Sequence, residues 1–467
     1  MKADVDRGRS SVVDARECDV VVIGAGPAGE VCAGRLAEGG LSVVLAEREL
    51  VGGECSFYAC MPSKALLRPA QALSEARRVA GAREAASGTI DVHAVLARRD
   101  EIVHGLSDDA QLPWLEERGI ELLRGDAKIV GEREVRVGDE LLKARLAVVL
   151  ATGSSALIPP IPGLAESDPW TNREATTAAA IPTSLLVIGG GVVGVELAQA
   201  YASLGSQVTL VEAESRLIGG EEEFAADEVQ RALEALGVEV VFAKVTGVRR
   251  EDLEGRYVLD LADGRTLAGE RLLVAVGRHP NTDGVGLETL GLPAGQPVHV
   301  DDDMTVPGHE WLYVVGDANG RVQLTHMGKY QARLAADRIL GRPGKLLSDG
   351  RLSPRVIFTE PMVAAVGHTL ASAREAGLLV RAVDRPFGAN AGGSFVGHDA
   401  PGKARLVLDE ERGLLVGATF TGVDVAESLH AATIAVVGEV PVERLRHAVP
   451  AFPTRSEVWL YLLEELN

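Results

Sequence analysis

The sequence has 467 residues, 46% of them hydrophobic and only 4% aromatic, so it can form large cores of aliphatic side chains like those of buried parallel sheets. Its length predicts two to four domains at about 150 residues each. The formal net charge of −20 argues against nucleic acid or anionic membranes as partners, and no run of about 18 apolar residues indicates membrane insertion.

The N-terminal residues 1–17 are polar and mixed in charge. They lack the apolar stretch of a signal peptide, so we expect a flexible tail and a cytoplasmic protein. The chain contains four cysteines, which are too few for a disulfide scaffold of this length. Any functional role of a cysteine is therefore expected to be redox chemistry or metal binding.

Residues 18–47 have the pattern of a strand, a glycine turn, a helix and a second strand that ends in Glu47. The turn carries the spacing G-x-G-x-x-G at Gly24, Gly26 and Gly29. In a dinucleotide-binding unit the first glycine makes a tight turn, the second admits a pyrophosphate and the third lets the helix pack on the strand. The helix N-terminus attracts the phosphates, and the acid accepts hydrogen bonds from a ribose.

The segment GGECSFYACMPSK at 52–64 contains a closely spaced pair, Cys55 and Cys60. A zinc site is disfavoured because no second pair or nearby histidine completes it, whereas such a pair is typical of redox chemistry. Positions five apart on an ideal helix lie roughly 8–9 Å apart, and a disulfide needs less than about 7 Å. A bridge therefore requires a distorted first helical turn, and a strained bridge is easier to reduce.

Cys60 lies near the start of a predicted helix, and Lys64 follows one turn later on the same face. A helix N-terminus and an ammonium group both favour the thiolate form of a cysteine. The pattern therefore predicts that Cys60 is a stable electron donor.

A second copy of the dinucleotide-binding pattern spans residues 185–212. It carries Gly189, Gly191 and Gly194, and in both copies the acid, here Glu212, follows the third glycine by 18 residues. A carboxylate at this position accepts a hydrogen bond from a ribose 2′-OH and repels a 2′-phosphate. We therefore expect NAD(H) rather than NADP(H), although Arg216 nearby leaves NADP(H) open.

Two strands at 146–163 and 271–284 indicate the crossings between the dinucleotide-binding units. The first ends at Thr152 and Gly153 before a proline-rich connection, and the second ends at Gly277. From about residue 346 onward the pattern changes to alternating strands with helices, which is typical of an α+β domain with one antiparallel sheet.

These patterns predict an α/β protein with two Rossmann-like dinucleotide-binding domains and a C-terminal α+β domain. The second dinucleotide-binding domain is inserted into the first. The expected divisions are a tail at 1–17, the first domain at 18–155 and 276–345, the second domain at 156–275, and the α+β domain at 346–467.

The motif GG-x-C-x-x-x-x-C-x-P-S-K after a G-x-G-x-x-G strand resembles the active-site signature of the class I flavoprotein (pyridine nucleotide-) disulfide oxidoreductases. This family includes dihydrolipoamide dehydrogenase, glutathione reductase and mercuric reductase, and the resemblance extends from about residue 18 to 460. It implies that the first domain binds FAD, that the second binds NAD(P), and that the C-terminal domain forms a homodimer.

The resemblance also implies roles for individual residues. Cys60 matches the thiol next to the flavin, Cys55 the thiol that attacks the substrate, and Lys64 the lysine beside the flavin N5, with Glu196 as its ion-pair partner. Glu47 matches the ligand of the adenosine ribose of FAD. The remaining cofactor-binding positions are Ala127, Thr152, Gly153, Ser154, Asp317, Gln323, Leu324, Thr325 and His326 for FAD, and Gly277 at the second crossing.

The C-terminal segment AVPAFPTRSE at 448–457 departs from the family. Its thiol reductases carry a His-Pro-Thr-x-x-Glu motif whose histidine transfers protons and is oriented by the glutamate. Here Glu457 matches the glutamate, but Phe452 stands at the histidine position. A phenyl ring cannot transfer a proton, and the loss of a general acid–base costs about 10²–10⁴-fold in rate.

Three functions are compatible with this sequence. The first is an NAD(P)H-dependent enzyme that passes electrons through FAD and Cys55–Cys60 to a small disulfide-type acceptor. The second is a quinone or metal-ion reductase that uses the same relay, and the third is a redox-sensing flavoprotein. The acidic run Glu221–Glu223 is interpreted as a solvated helix start, and no metal site is predicted.

Overall fold

The computed structural model describes residues 15–251, 255–342, 344–397, 400 and 402–466. Most of the predicted tail, residues 1–14, lies outside the described residues, and the first strand already begins at Arg16. The chain forms two compact units. The first contains Met1–Gly53, Asp108–Ser154 and Pro280–Leu346, and the second contains Glu54–Ser107, Ser155–His279 and Leu347–Asn467.

The described strands are β1 (Arg16–Ile23), β2 (Val43–Glu47), β3 (Glu121–Arg124), β4 (Ala127–Gly131), β5 (Glu134–Val137), β6 (Glu140–Leu150), β7 (Ser154–Ala156), β8 (Ser184–Ile188), β9 (Gln207–Glu212), β10 (Glu239–Phe242), β11 (Val245–Glu251), β12 (Arg256–Leu261), β13 (Thr266–Gly269), β14 (Arg271–Val274), β15 (Arg278–Pro280), β16 (Thr305–Val306), β17 (His309–Val314), β18 (Arg355–Ile357), β19 (Met362–Gly367), β20 (Val380–Pro386), β21 (Lys403–Asp409) and β22 (Leu414–Gly422).

The described α-helices are α1 (Pro27–Glu38), α2 (Gly53–Phe57), α3 (Cys60–Arg78), α4 (Val92–Ile102), α5 (Leu112–Glu117), α6 (Asn172–Thr177), α7 (Val192–Ser203), α8 (Glu223–Ala235), α9 (Thr325–Ile339), α10 (Leu370–Glu375), α11 (Leu429–Val437), α12 (Val442–Leu445) and α13 (Val458–Glu465). Within the described parts of the chain, no helix is long and apolar enough to cross a membrane.

The first unit is built on a sheet in which β17, β6, β1, β2 and β3 run parallel in that order. The central strand β1 is a run of valines, and Val20, Val21 and Val22 are fully buried. A strand that is covered on both faces favours such a continuous apolar run over an alternating one. The glycine turn therefore follows directly from a strand that lies at the centre of the core.

The second unit contains a parallel sheet in the order β10, β9, β8, β14 and a separate antiparallel sheet of β11, β12 and β13. Its C-terminal part is one antiparallel sheet in the order β18, β19, β22, β21, β20. Helices α11 and α13 cover this sheet with aliphatic side chains. The predicted fold class, two Rossmann-like folds with a C-terminal α+β domain, is confirmed.

The interpretation of the acidic run as a solvated helix start was wrong for Glu221 and Glu222, whereas Glu223 is exposed and begins α8. Glu221 and Glu222 are only 8% and 4% exposed. The Glu221 carboxylate accepts from Nε of Arg355 at 2.6 Å and from its Nη2 at 2.9 Å. The Glu222 carboxylate accepts from Arg405 at 2.8 Å. Buried carboxylates require such partners. The partners lie on strands of the C-terminal sheet, so the local sequence could not reveal them.

Candidate active site

The first glycine turn has the geometry of a phosphate-binding loop. Gly24 has φ +100°, and a Cβ there would lie 2.5 Å from the carbonyl oxygen of Ala151. A Cβ at Gly29 would lie 1.9 Å from the Gly24 oxygen, whereas one at Gly26 would meet no atom within 4 Å. The backbone thus requires the first and third glycines, and the second faces open space at the N-terminus of α1. A pyrophosphate fits that space.

The second glycine turn repeats this geometry in the second unit. Gly189 has φ +107°, and its Cβ would lie 2.4 Å from the Ala275 oxygen. A Cβ at Gly194 would lie 1.9 Å from the Gly189 oxygen, and one at Gly191 would meet nothing within 4 Å. The same steric pattern at both turns fits two dinucleotides, one in each unit.

The two acids that end β2 and β9 also play equivalent structural roles. Glu47 accepts hydrogen bonds from the backbone N–H of Ala25 and of Glu49, both at 2.7 Å. Glu212 accepts from Gly190 at 2.5 Å and from Glu214 at 2.8 Å. Each carboxylate therefore ties its glycine turn to the next loop. Each oxygen keeps a further lone pair with which it can accept a ribose hydroxyl.

A cavity of about 230 Å³ opens beside the first glycine turn, within the first unit. Its lining includes four positions expected from the sequence, Gly24, Glu47, Ala127 and Thr152. It also includes positions that the sequence motifs did not indicate, among them Arg48, Asn281, Asp283 and Val285. For Asn281 and Asp283, the polar run Asn-Thr-Asp that follows Gly277 was the feature of the sequence that could have indicated them.

Asn281 is joined to the end of β6 from both sides. Its side-chain amide donates to the Thr152 carbonyl at 3.0 Å, and the Thr152 hydroxyl donates to the Asn281 carbonyl at 2.6 Å. The Asn281 N–H donates to the Gly153 carbonyl at 2.9 Å. These bonds hold the wall of the cavity at the crossing between the domains that the sequence predicts.

The structure also brings Ser154 and Asp317 together in the first unit. The Ser154 hydroxyl donates at 2.5 Å to the carboxylate of Asp317, which belongs to the 3₁₀ turn that follows β17. A few residues after Asp317, the start of α9 contains four further positions assigned to FAD: Gln323, Leu324, which is the N-cap, Thr325 and His326. The residue Asp317 after β17 and the start of α9 are the two places where the resemblance expects contacts with FAD.

The cysteine loop is not a continuous helix. Cys55 lies in the short helix α2, Ala59 has φ −135° and ψ −96°, and α3 begins at Cys60. Both cysteines are half-buried. The distortion that a bridge between these positions requires is therefore present at Ala59, and Cys60 stands at a helix N-terminus, as the sequence pattern indicates.

Lys64 and Glu196 form an ion pair in the second unit. The Lys64 ammonium lies 2.7 Å from Oε2 of Glu196, a residue that is 3% exposed. Glu196 Oε1 accepts from the Phe358 N–H at 2.8 Å, and the ammonium lies 4.7 Å from the centre of the Phe358 ring. Each oxygen of the Glu196 carboxylate thus has a donor. Because these bonds hold the carboxylate in place, they also fix the position of the Lys64 ammonium.

The C-terminal segment presents Phe452 to the surface, where its side chain is 77% exposed. Glu457 is 7% exposed, and its Oε2 has no hydrogen-bond partner among the described residues. The hydroxyl of Thr454 donates to the Ala451 carbonyl at 2.6 Å and closes the turn between them. The chain thus retains the buried glutamate, with an exposed phenyl ring five residues before it.

A half-buried pair of cysteines, a lysine–glutamate ion pair and two dinucleotide turns belong together in nucleotide-dependent thiol–disulfide enzymes. The chain is a member of the pyridine nucleotide-disulphide oxidoreductases, whose sequence model matches residues 18–332. The dimerisation domain of the same family matches residues 353–462. The chain is accordingly an NAD(P)H-dependent flavoprotein oxidoreductase, and the family assignment made from its motifs is confirmed.

Several proteins similar to this chain are named for oxidoreductase activities. A dihydrolipoyl dehydrogenase of Thermus scotoductus is 33% identical over 459 residues, which cover 96% of this chain and 97% of that protein. One of Haloferax volcanii is 31% identical over 453 residues and 94% of each chain. A mercuric reductase of Staphylococcus aureus is 28% identical over 448 residues, which cover 94% of this chain and 80% of that enzyme.

Two solved structures share the fold over nearly the whole chain. A Cu(II) complex of the HOCl-induced flavoprotein disulfide reductase RclA from Escherichia coli has a TM-score of 0.85 at 25% identity, covering 97% of this chain and 100% of that one. LpdA from Mycobacterium tuberculosis has a TM-score of 0.84 at 25% identity, covering 96% of this chain and 100% of that one.

Proposed function

We propose that this enzyme uses NAD(P)H to reduce a Cys55–Cys60 disulfide and then passes the electrons to a small disulfide-type acceptor. The observation that carries this proposal is the ion pair that Glu196 makes with Lys64, a residue of the helix that begins at Cys60. When bound, FAD and the nicotinamide supply the transfer of two electrons from NAD(P)H to the bridge.

The chain's own residues have distinct tasks in this reaction. Reduction breaks the bond between the two sulfurs, takes up two electrons and one proton, and leaves Cys60 as a thiolate and Cys55 as a thiol. The α3 N-terminus and Lys64 stabilise the charge on Cys60. Cys55 then gives up its proton and attacks one sulfur of the acceptor disulfide, which breaks the acceptor's sulfur–sulfur bond and releases its first half as a thiol that carries this proton. The Cys60 thiolate attacks the Cys55 sulfur of the mixed disulfide, which restores the bridge and releases the second half of the acceptor as a thiolate.

The expected cofactors are FAD at the first glycine turn and NAD(H) at the second. Glu212 supports NAD(H) because its carboxylate would repel a 2′-phosphate. Arg216, which left NADP(H) open in the sequence, donates to the backbone oxygens of Gly219 at 2.6 Å and Glu221 at 3.2 Å. These bonds turn its guanidinium toward its own loop, which supports the same choice.

A homodimer is proposed for the C-terminal domain, which matches the family's dimerisation domain. Large apolar side chains are exposed on it, notably Phe395 at 70%, Ile434 at 56% and Val449 at 75%. An apolar surface of this kind is typical of a homodimer interface. Sedimentation or light scattering should give twice the chain mass of 49.1 kDa.

A quinone or metal-ion reductase is the second candidate, and Phe452 is the observation that favours it. Its 77% exposed phenyl ring cannot supply the proton that a thiolate leaving group usually needs. Metal ions and quinones accept electrons without that step. One relative is named a mercuric reductase, and one similar structure is a Cu(II) complex.

The two candidates are separated by replacing the delivering thiol. Cys55→Ser should abolish NADH-dependent reduction of an aromatic disulfide with low-pKa thiols, while Ser56→Ala should leave that rate within about twofold of the wild type. Persistence of disulfide reduction in Cys55→Ser would refute the first proposal. Benzoquinone or Cu(II) reduction that exceeds disulfide reduction in the wild type would establish the second.

A further inference from the structure

The cysteine loop, residues 54–60, is held at its first residue by helix α6. Oε1 of Glu54 accepts a hydrogen bond from the Asn172 side-chain amide at 2.8 Å. Oε2 of Glu54 accepts from Nε of Arg173 at 2.9 Å and pairs with its Nη2 at 2.8 Å. Arg278 lies 3.6 Å from the same carboxylate. Glu54 directly precedes Cys55, so these bonds restrain the backbone next to that thiol.

The same helix also holds the other end of the segment. The carbonyl of Tyr58, two residues before Cys60, accepts from the Asn172 amide at 2.8 Å and from the Thr176 hydroxyl at 3.0 Å. The Arg173 guanidinium lies over the Tyr58 ring, 4.5 Å from its centre. One buried amide, that of Asn172, therefore bonds to the cysteine loop at two places, the Glu54 side chain just before Cys55 and the Tyr58 carbonyl two residues before Cys60.

Helix α6 is itself a fixed support. Nη1 of Arg99, a residue that is 2% exposed, donates to the Thr176 carbonyl at 2.9 Å. The hydroxyl of Tyr201, which is 1% exposed, donates to the Ala175 carbonyl at 2.6 Å. A capping box of Thr171 and Glu174 closes the N-terminus of the helix. The short helix is thus bonded at its C-terminal end to two buried residues of the same unit, and its N-terminus is closed by its own capping box.

This support has a direct consequence for the redox pair. A disulfide holds its two sulfurs about 2.05 Å apart, whereas two thiols must separate to a non-bonded distance when the bridge is broken. A loop that is fixed at both ends limits that separation. It also lowers the conformational entropy of the opened form, which favours closure of the bridge.

We propose that Glu54, Asn172 and Arg173 are positioning residues that set the reduction potential of the Cys55–Cys60 pair. This inference rests on the proposed function, in which the pair cycles between bridge and dithiol. Reduction breaks one sulfur–sulfur bond with two electrons from NAD(P)H, and the positioning residues oppose it by keeping Cys55 close to Cys60.

The test measures the bridge-to-dithiol equilibrium of the holoenzyme in dithiothreitol buffers of known ratio, by thiol labelling and mass spectrometry. Asn172→Ala is the cleanest variant, because it removes both loop contacts without a change in charge. The equilibrium should shift toward the dithiol by about tenfold, which for a two-electron couple corresponds to about 30 mV. A shift of less than twofold would overturn the proposal.

A pair of charge variants separates position from electrostatics. Glu54→Ala and Arg173→Ala both release the loop, so both should shift the equilibrium toward the dithiol. Their charge effects on a nearby thiolate are opposite. Opposite shifts would show that charge alone sets the potential and would overturn the positioning role.

The matched control is Glu75→Ala, which breaks the exposed Arg68–Glu75 pair on the same helix as Cys60. Its equilibrium should match that of the wild type. If Asn172→Ala does not retain flavin, the milder Glu54→Gln and Arg173→Lys must show the shift instead. A wild-type pair that never forms a bridge would refute the proposed function itself, whereas a normal wild type with unshifted variants refutes only this inference.

Discussion

The Lys64 ammonium lies 2.7 Å from Oε2 of Glu196, although the two residues are 132 positions apart in the chain. Lys64 belongs to α3, the helix that begins at Cys60, and Glu196 belongs to α7, the helix that follows the second glycine turn. The pair therefore ties the helix of the redox loop to the helix of the proposed nicotinamide site.

Removal of the Glu196 carboxylate should destabilise the protein more than its neutralisation does. Glu196→Ala leaves the Phe358 N–H and the Lys64 ammonium without their acceptor, which we expect to cost about 2 kcal/mol in the free energy of unfolding. Glu196→Gln keeps the bond to Phe358 and should cost less. Urea unfolding measures both. Equal losses for the two variants would contradict this account.

An exposed ion pair on α3, the helix of Lys64, provides the control for that measurement. Arg68 and Glu75 lie 2.6 Å apart with side chains that are 49% and 37% exposed. Surface pairs contribute about 0–1 kcal/mol. Glu75→Ala should therefore change the unfolding midpoint far less than Glu196→Ala.

Spectroscopy should assign the two thiols to different tasks. Addition of NADH to the yellow holoenzyme should produce a long-wavelength absorption band that requires a Cys60 thiolate next to the flavin. Cys60→Ser should abolish this band, and Cys55→Ser should retain it. A band that is lost in Cys55→Ser and kept in Cys60→Ser would reverse the assignment.

Phe452→His should restore a group that transfers protons, five residues before a glutamate whose buried Oε2 has no hydrogen-bond partner among the described residues. Turnover of a lipoamide-type disulfide should rise by about 10²-fold or more, the usual contribution of a general acid–base. Phe452→Gln is the matched control, since it is polar but does not titrate. If the histidine variant behaves like the glutamine variant, position 452 does not face the acceptor.

Glu212 should decide between the two nicotinamide cofactors. Glu212→Gln keeps a hydrogen-bond acceptor for the Gly190 N–H but removes the charge that repels a 2′-phosphate. The ratio of kcat/KM for NADPH to that for NADH should rise by about tenfold, or about 1.4 kcal/mol. Steady-state kinetics with both cofactors measure this ratio. An unchanged ratio would mean that the loop after β9, not the acid, determines the preference.

The stability of the protein should depend on Glu30 in the first turn of α1. Burial raises the pKa of the Glu30 carboxyl to about 7, against the opposing charge of Lys329. The ordinary pKa is about 4.3, so between these values the folded state binds more protons than the unfolded state. The free energy of unfolding therefore falls as the pH rises through this window.

Glu30→Gln removes this titration. Urea unfolding at about pH 5 and about pH 8 should show that the wild type loses roughly 2–3 kcal/mol more than the variant over that interval. Glu38→Gln, on the exposed end of the same helix, should follow the wild type. A wild type that gains stability over the same interval would contradict the raised pKa.

Much of this molecule could be predicted because its requirements are local. The conformation of Gly24 and the contact between Gly29 and the Gly24 oxygen follow from the turn itself, so the glycine spacing alone indicates them. The valines of β1 similarly report that the strand is covered on both faces. The break at Ala59 was also implied, since two cysteines five positions apart cannot bridge on a regular helix.

The sequence by itself thus determined the fold class, the two dinucleotide turns and the nature of the cysteine loop. Only the tertiary structure decided that Glu222 is buried against Arg405, that Arg216 turns toward its own loop, and that Glu54 bonds to Asn172. The first and last of these contacts join residues 183 and 118 positions apart. Such partners depend on how distant strands and helices pack, and a charged residue looks the same in the sequence whether it meets water or a guanidinium.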